Sequence, residues 1–252
     1  MERLLRVEEV SKNFAGIQAV SGLSVSLEKG RIAGLIGPNG AGKTTLFNLI
    51  TGFHAVTSGR IFYREADITG LPPYRIAGRG IARSFQDLRL YTKMTVLENC
   101  LVAQPGQAGE KLRNVYFRPG WVRRRDRECH QRAMEHLAYV GLQEQADRRA
   151  EDLAYGEQKL LAIARLLATE ADLLLLDEPT SGLDRGSLSD MIQMIKGLVG
   201  QGKTICVIEH NLDVVRAVSD WVVFMDQGKA LASGEPEAVL ADRSLAEIYF
   251  GA

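Results

Sequence analysis

Cysteine is scarce in this 252-residue chain, and long apolar runs are missing. The three cysteines, Cys100, Cys129 and Cys206, lack the spacings of disulfide frameworks and metal sites, so we expect reduced thiols. No apolar stretch approaches the ~20 residues that cross a bilayer, and the opening MERLLRVEEV lacks the apolar core of a signal peptide. We therefore expect a cytosolic location, with any contact to a membrane made from the side.

An excess of charge of either sign is also missing. Lys plus Arg and Asp plus Glu number 31 each, which gives a formal net charge of zero. No overall field then draws the chain to nucleic acid, and we expect no nucleic-acid partner. Apolar residues make up 46% of the chain and charged residues 25%, as in ordinary globular domains. A chain of this length is therefore expected to bury a core of its own.

Apolar strands alternate with helical stretches along much of the chain. The strands are predicted at 31–37, 81–85, 172–177, 203–209 and 220–226, and the helices from Lys43, at 157–169 and at 185–199. This alternation indicates an α/β sheet with ligands at the carboxyl ends of its strands. The first 30 residues alternate apolar and polar positions, which predicts short antiparallel strands.

Residues 95–165 differ, because their pattern is mostly helical and contains no convincing central strand. We predict one domain, in which 1–94 and 166–252 form an α/β lobe and 95–165 form an inserted helical lobe. Within the insert, 105–132 is predicted to be irregular and basic. A solvated loop and helix face explains such a charge run, and contact with a partner or with anionic head groups is the alternative.

The sequence GPNGAGKTT at 37–45 directly follows a strand and opens a helix. It fits the pattern GxxxxGK[ST], in which backbone N–H groups wrap phosphates, Lys43 reaches the β- and γ-phosphates, and Thr44 ligates Mg²⁺. A plain glycine turn is the alternative, which the strand before and the helix after disfavour. The motif predicts bound phosphates and Mg²⁺, and the predicted binding residues are Gly37, Pro38, Asn39, Gly40, Ala41, Gly42, Lys43, Thr44 and Thr45.

A second pattern, LLLLDEP at 173–179, ends a buried strand with two carboxylates. Asp177 is predicted to join the Mg²⁺ shell, and Glu178 to orient or deprotonate the attacking water. An Asp-Glu pair after apolar residues is commonly just a strand end that meets solvent. Beside a phosphate loop, the catalytic interpretation is favoured.

Three weaker candidates depend on these two motifs. Gln86 follows a predicted strand and could touch Mg²⁺ or the water, or lie on the surface. His210 also follows a strand, where a neutral imidazole could bond the γ-phosphate or Glu178, or be structural. Phe14 could stack on adenine or pack in the core.

The stretch LAYGEQKL at 153–160 places Gly156 where a helix begins, which is a phosphate-binding arrangement with no phosphate partner beside it in sequence. With this stretch, the motifs resemble, in order, those of the nucleotide-binding subunit of ATP-binding cassette (ABC) transporters. The series contains Phe14, GPNGAGKTT, Gln86, LAYGEQ, LLLLDE, SGLD at 181–184 and His210. The resemblance implies a P-loop ABC ATPase fold with an antiparallel β subdomain and an inserted helical subdomain.

The same resemblance implies a ligand for Gly156. In this family two ATPase subunits pack head to tail, so LAYGEQ of one subunit would close over ATP held by the other and aim a positive helix end at the γ-phosphate. The residues expected to act across this interface are Ala154, Tyr155, Gly156, Glu157, Ser181 and Asp184.

The family's common form of this motif is LSGGQ, and here Ala154 replaces the serine and Tyr155 the first glycine. A missing hydrogen bond to a charged group costs roughly 1.5–3 kcal/mol if nothing replaces it. Gly156 and the helix end remain, so we still expect a working site.

The altered motif is similar to that of ATPases from branched-chain amino acid importers, as are residues 68–104 and SGEPEAVLADRSLAEIYFGA at the C-terminus. This branch implies an ATPase motor at the cytoplasmic face of the membrane. Its partners would be transmembrane subunits, a second ATPase subunit, identical or related, and indirectly a solute-binding protein outside the membrane. The alternatives are an ATPase of lipopolysaccharide export and a soluble ABC ATPase that acts on nucleic acid or ribosomes.

Overall fold

The computed structural model describes residues 2–107 and 112–250, with all side chains of these except those at positions 112, 115 and 250. The chain forms two compact units. The first unit contains the chain up to Arg83 and again from Asp172 onward, and the second unit contains Ser84–Ala171.

The first unit is built around a six-stranded sheet with the order β10-β9-β3-β8-β7-β6. All neighbouring strands are parallel except β9 and β10. The residues of β3, β7 and β8 are buried throughout, as expected for parallel strands covered on both faces. The strands are β3 (Ile32–Ile36), β6 (Ile81–Arg83), β7 (Leu173–Asp177), β8 (Thr204–Ile208), β9 (Trp221–Asp226) and β10 (Lys229–Gly234).

A second, antiparallel sheet of the first unit has the order β2-β1-β4-β5. The first 30 residues form antiparallel strands as predicted, but the predicted short length is wrong, since β1 and β2 are 12 residues long each. A tight turn at Ala15 and Gly16, both with positive φ, lets the two strands pair along their length, and register shifts absorb their twist. The strands are β1 (Arg3–Phe14), β2 (Ile17–Glu28), β4 (Ser58–Tyr63) and β5 (Ala66–Asp67).

The described residues of the first unit also form six helices. One buried apolar cluster contains residues of both sheets and of the first of these helices, for example Leu5, Phe47 and Leu175. A smaller cluster packs the C-terminal helices against the other side of β9 and β3, with Ile36 and Phe224 among its members. The helices are α1 (Lys43–Ile50), α2 (Pro73–Ala77), α7 (Arg185–Gly200), α8 (Leu212–Val218), α9 (Pro236–Leu240) and α10 (Arg243–Phe250).

The described residues of the second unit are mostly helical and include two short 3-10 turns, at Gln143–Gln145 and Ala150–Asp152. Thr95 caps its first helix in a reciprocal arrangement with Glu98. The helices are α3 (Val96–Ala103), α4 (Leu112–Phe117), α5 (Pro119–Tyr139) and α6 (Tyr155–Ala168).

The basic segment 105–132 is mostly helical, so the prediction of an irregular segment is wrong where the structure describes it. Residues 108–111 lie outside the described part. Pro119 stands at the helix start, where proline is tolerated, and Arg124 and Arg125 form ion pairs with Glu128 one turn on. Buried Cys129, Ala133 and Leu137 repeat every four residues and give α5 an apolar face.

The second unit is also longer than the predicted insert 95–165. It begins at Ser84, because β6 ends at Arg83 and not at residue 85 as predicted, and the following chain packs within the helical unit, where Asn99 holds the backbone of Tyr91. It continues to Ala171, because α6 runs without a break to Ala168.

No helix in the described ranges is long and apolar enough to cross a membrane. All three cysteines are free and buried, and burial raises the pKa of Cys100 and Cys206 to about 12.

Candidate active site

The phosphate loop connects β3 to α1 at the carboxyl edge of the six-stranded sheet. Gly37 and Gly42 have φ values of 147° and 98°. A Cβ at Gly37 would lie 1.9 Å from the Met225 carbonyl oxygen, and one at Gly42 would lie 2.4 Å from the Ala19 carbonyl oxygen. Only glycine fits either position, so the loop backbone is fixed by its neighbours as well as by its own conformation.

The mouth of the loop is open. Asn39, Gly40 and Thr44 are exposed, whereas Gly37 and Ala41 are buried. Gly42 caps α1 without a side chain that could accept from the first-turn N–H groups. A helix start of this kind favours an anion.

Lys43 is buried, with 6% of its surface exposed, and its Nζ donates to the carbonyl oxygens of Gly37 (2.7 Å) and Pro38 (2.9 Å). Burial lowers the pKa of Lys43, and the charges of Glu178 and Asp177 oppose this shift. The ammonium group is thus held against the loop by acceptors that a phosphate could replace.

Asp177 is the last residue of β7, and its side chain is 4% exposed. Its carboxylate accepts from Nη2 of Arg83, the last residue of the adjacent strand β6, at 2.8 Å. The other terminal nitrogen of Arg83 donates to the Asn48 side chain at 2.5 Å, and the guanidinium lies 5.4 Å from the centre of the Phe47 ring. The carboxylate therefore belongs to a buried ion pair anchored on α1.

Glu178 follows directly, in a left-handed conformation with φ of 50°. Its backbone N–H donates to the Ile208 carbonyl (2.9 Å), and its Oε1 lies 3.0 Å from Nε2 of His210. Since β7 and β8 are neighbours, the strand pairing brings together Glu178 and His210, two of the three predicted catalytic residues.

Glu209, between Ile208 and His210, is 2% exposed. Its carboxylate accepts from the Thr180 backbone N–H (2.9 Å) and hydroxyl (2.7 Å). Three consecutive residues at the end of β8 therefore hold the chain that follows β7.

The two predicted interface residues of the first unit have partners within the chain. Ser181 donates to the Glu178 carbonyl from its N–H (3.3 Å) and its hydroxyl (3.2 Å). Asp184 caps α7 by accepting from Gly186 and Ser187, and the Ser187 hydroxyl is the main cause of the lowered pKa of Asp184. A contact of either residue with another subunit stays a prediction.

Phe14 ends β1 and has 38% of its surface exposed. Its ring meets His54 edge to face at 5.1 Å between centroids, and Nζ of Lys12 lies 4.9 Å from its centre. The ring is neither buried in the core nor fully exposed, and its stacking on adenine stays a prediction.

The LAYGEQ segment and Gln86 belong to the second unit. Ala154 is the N-cap of α6, which begins at Tyr155 and not at residue 157 as predicted, because Glu157 accepts from the Ala154 N–H at 2.8 Å. Gly156 is half-buried in the first turn, and Gln86 is exposed. The roles predicted for them at phosphate and Mg²⁺ stay predictions.

Comparison with known proteins bears on this arrangement. The ABC transporter family matches residues 20–181, which is more than half of the chain. The chain belongs to the ABC transporter family.

A relative of this ABC ATPase is the high-affinity branched-chain amino acid transport ATP-binding protein LivG of Salmonella typhimurium strain LT2. The two are 41% identical over 249 residues, which cover 98% of each. The crystal structure of the ADP conformation of MJ1267, an ATP-binding cassette of an ABC transporter, is 35% identical over the whole of both chains, with a TM-score of 0.86.

The dimeric structure of MJ0796, a bacterial ABC transporter cassette, is 25% identical and has a TM-score of 0.76. The match covers 92% of this chain and 98% of the MJ0796 chain. The predicted ABC ATPase fold is confirmed, and the chain is a nucleotide-binding ATPase of a transport system.

Two buried polar residues of this ABC ATPase were not predicted from the sequence. Arg83 lies within the predicted strand 81–85, and the strand pattern assigns it no partner. The signal was its positive charge at the end of an apolar strand, which is complementary to the carboxylate of Asp177. Glu209 directly precedes the predicted His210, and a carboxylate at the end of an apolar strand was the only indication of its role.

In the described residues, no three His, Cys, Asp or Glu side chains cluster as a metal centre of the protein alone. Mg²⁺ commonly takes one or two protein oxygens and completes its shell with phosphate and water. Thr44 is an exposed residue with a hydroxyl, and Asp177 supplies a carboxylate at the end of β7. Both are oxygen donors of this type and fit such a site.

Proposed function

We propose that this chain is the ATP-hydrolysing motor subunit of an importer of branched-chain or related hydrophobic amino acids. The observation that carries the proposal is the 41% identity to a branched-chain amino acid transport ATP-binding protein along 98% of both chains. A match of this length includes the segments between the motifs as well as the motifs themselves.

The phosphate loop, residues 37–45, binds the triphosphate in this proposal. Its N–H groups and the start of α1 receive the phosphate oxygens, and Phe14 stacks on the base. The ammonium of Lys43 exchanges its two backbone acceptors for the β- and γ-phosphates, which needs little movement because the group is already buried against the loop.

Thr44 and Asp177 would hold Mg²⁺, with Gln86 as a further contact. The ion supplies positive charge that offsets the charge developing on the phosphates. The chain's part is to place its oxygen donors, and Arg83, the last residue of β6, ties the carboxylate of Asp177 to Asn48 of α1 through its two hydrogen bonds.

Glu178 accepts the proton of the attacking water as that water bonds to the γ-phosphorus and ADP leaves. Nε2 of His210 lies 3.0 Å from Oε1 of Glu178 and so holds the carboxylate of this base in one orientation. Hydrolysis thus depends on the end of β7 and the residue pair 209–210 together.

The start of α6 completes the site of a second ATPase subunit, identical or related. Gly156 and the helix end offer N–H groups to the γ-phosphate across the interface, accompanied by Ala154, Tyr155, Glu157, Ser181 and Asp184. The dimer of the 25% identical cassette supports an assembly of two such chains.

ATP binding would close this dimer and product release would reopen it, and transmembrane subunits would receive the movement. The chain then lies on the cytoplasmic face of the membrane, and a solute-binding protein on the other side delivers the amino acid. The solute does not contact this chain.

Uptake of labelled leucine by vesicles that contain the chain with its membrane subunits and binding protein tests the proposal. We expect uptake that needs ATP on the side of this chain and stops with Glu178→Gln, while Glu144→Gln at an exposed position transports normally. ATP hydrolysis without leucine uptake, stimulated instead by a lipid substrate, would contradict the import function.

A further inference from the structure

The C-terminal helix α10 contacts the histidine of the candidate active site. The hydroxyl of Tyr249, the next-to-last residue of α10, donates to the main-chain carbonyl of His210 at 2.8 Å. The two residues are 39 positions apart in the chain.

Apolar packing fixes the position of the Tyr249 ring. The ring is half-buried and meets Phe224 of β9 edge to face, with 6.2 Å between centroids. Leu245, one turn earlier in α10, is 6% exposed and packs with Ile36 and Val215. The helix is therefore held by its apolar side, and the hydroxyl of Tyr249 reaches from that packing to the loop after β8.

Burial, followed by the nearby charge of Glu209, raises the pKa of Tyr249. The phenol therefore keeps its proton and serves as a donor.

His210 stands in the short connection between β8 and α8. On one side, Glu209 is held by Thr180, and on the other, Asn211 caps α8 by accepting from Asp213 and Val214. The imidazole itself is 37% exposed and contacts Glu178. The Tyr249 hydroxyl binds the main chain of His210 directly and so restricts the peptide that sets the direction of the imidazole.

We infer that Tyr249 is a positioning residue for ATP hydrolysis, which acts by fixing His210 so that its imidazole holds Glu178. The inference rests on the proposed function. Catalytic groups need placement to within about 0.5 Å, and a half-exposed histidine on a short loop reaches that precision only if its backbone is restrained.

Tyr249→Phe tests this in the full-length chain, because it keeps the ring contact with Phe224 and removes only the hydroxyl. We expect kcat for ATP hydrolysis to fall roughly two- to tenfold, the range for one lost hydrogen bond. KM and the affinity for ATP should stay unchanged, since no part of the phosphate loop is altered. The matched control is Tyr74→Phe, at a residue that is 72% exposed on α2.

A double variant distinguishes positioning from a general structural effect. Added to His210→Ala, Tyr249→Phe should lower the residual rate no further, because its effect passes through the histidine. In NMR spectra of the four-histidine chain, Tyr249→Phe should shift the His210 ring signals and leave those of His54, His130 and His136 in place.

An unchanged kcat in Tyr249→Phe, or an equal further loss in the His210→Ala background, would overturn the inference while wild-type hydrolysis stands. A wild-type chain that binds and hydrolyses no ATP would instead contradict the proposed function itself.

Discussion

The phosphate loop at 37–45 and the LAYGEQ segment at 153–158 both place glycine at the start of a helix, but their surroundings differ. In the loop, carbonyl groups of β2 and β9 leave no room for a side chain at Gly42 and Gly37, and the buried Lys43 already has two acceptors. In LAYGEQ, Gly156 is half-buried and Tyr155 is 49% exposed. The backbone N–H of Ala154 donates to the carboxylate of Glu157 in the same segment.

Under the proposed function, the difference predicts two kinds of phosphate site. The loop has its geometry imposed by its own unit before nucleotide arrives. The start of α6 in LAYGEQ is formed locally and exposes Ala154 and Tyr155, as expected of a surface that a second subunit covers. Changes in the first site should therefore act within one chain, and changes in the second should act between chains.

The largest effect on this comparison is expected from Glu178→Gln. Loss of the proton acceptor should lower kcat by about 10²- to 10⁴-fold, and ATP binding should persist because the loop is intact. Steady-state hydrolysis and equilibrium ATP binding measure the two effects, and the closed dimer should accumulate in gel filtration with ATP. Full hydrolysis in this variant would remove Glu178 from the proposed role.

Arg83→Met tests whether the ion pair between Arg83 and Asp177, which lies within the first unit, stabilises the phosphate-loop site. The change leaves the Asp177 charge buried without its arginine, and we expect the free energy of unfolding to fall by about 3–5 kcal/mol. Urea unfolding without nucleotide gives this value. Combination with Asp177→Asn should restore part of the loss, and a change below about 1 kcal/mol in Arg83→Met would show that the ion pair does not organise this edge of the sheet.

Lys43→Ala and Gly156→Asp compare the two sites directly. Each variant alone should lose about 10²- to 10³-fold in hydrolysis, because each removes or opposes electrostatic stabilisation of the phosphates. Mixed in one preparation, they should regain activity, since a mixed dimer contains one intact composite site. If the second ATPase subunit is a related chain and not a copy of this one, one of the two changes is made at the equivalent position of that subunit. A mixture no more active than either variant would place Gly156 outside its neighbour's phosphate site.

The smallest effect is expected from Ala154→Ser, which restores the hydroxyl of the common family motif. The gain in the ATP-dependent dimerisation free energy should be at most about 1.5–3 kcal/mol, the value of one hydrogen bond to a charged group. Sedimentation of the Glu178→Gln chain with and without the added change measures it. Ala154→Gly is the matched control without a hydroxyl, and equal dimerisation in the two would show that position 154 does not meet phosphate.

Features set by local chemistry could be predicted from the sequence, and features set by distant contacts could not. The loop at 37–42, the helix from Lys43 and the strand ending at Asp177 follow from glycine spacing and apolar runs, and the structure has them within one residue. The partner of Asp177 is Arg83, 94 positions away, and no local pattern joins the two.

In the basic segment 105–132, by contrast, the prediction of local structure is wrong. The sequence predicts an irregular basic segment, yet arginine favours helices and proline is accepted at the first turn. The apolar face formed by Cys129, Ala133 and Leu137 stabilises the helix. These residues follow the consecutive arginines at 123–125 in the sequence.

The position of β8 in the sheet has a consequence for biosynthesis. In the order β10-β9-β3-β8-β7-β6, β3, which leads into the phosphate loop, and β7, which ends at Asp177, are not neighbours, and β8 pairs with both. During translation, residues 37–45 and 173–178 leave the ribosome before residues 204–208 have emerged. A nascent chain at that stage would contain the phosphate loop, Asp177 and Glu178, but it would lack Glu209, His210 and the strand that pairs with both β3 and β7, so we expect ATP turnover to begin only after β8 has emerged.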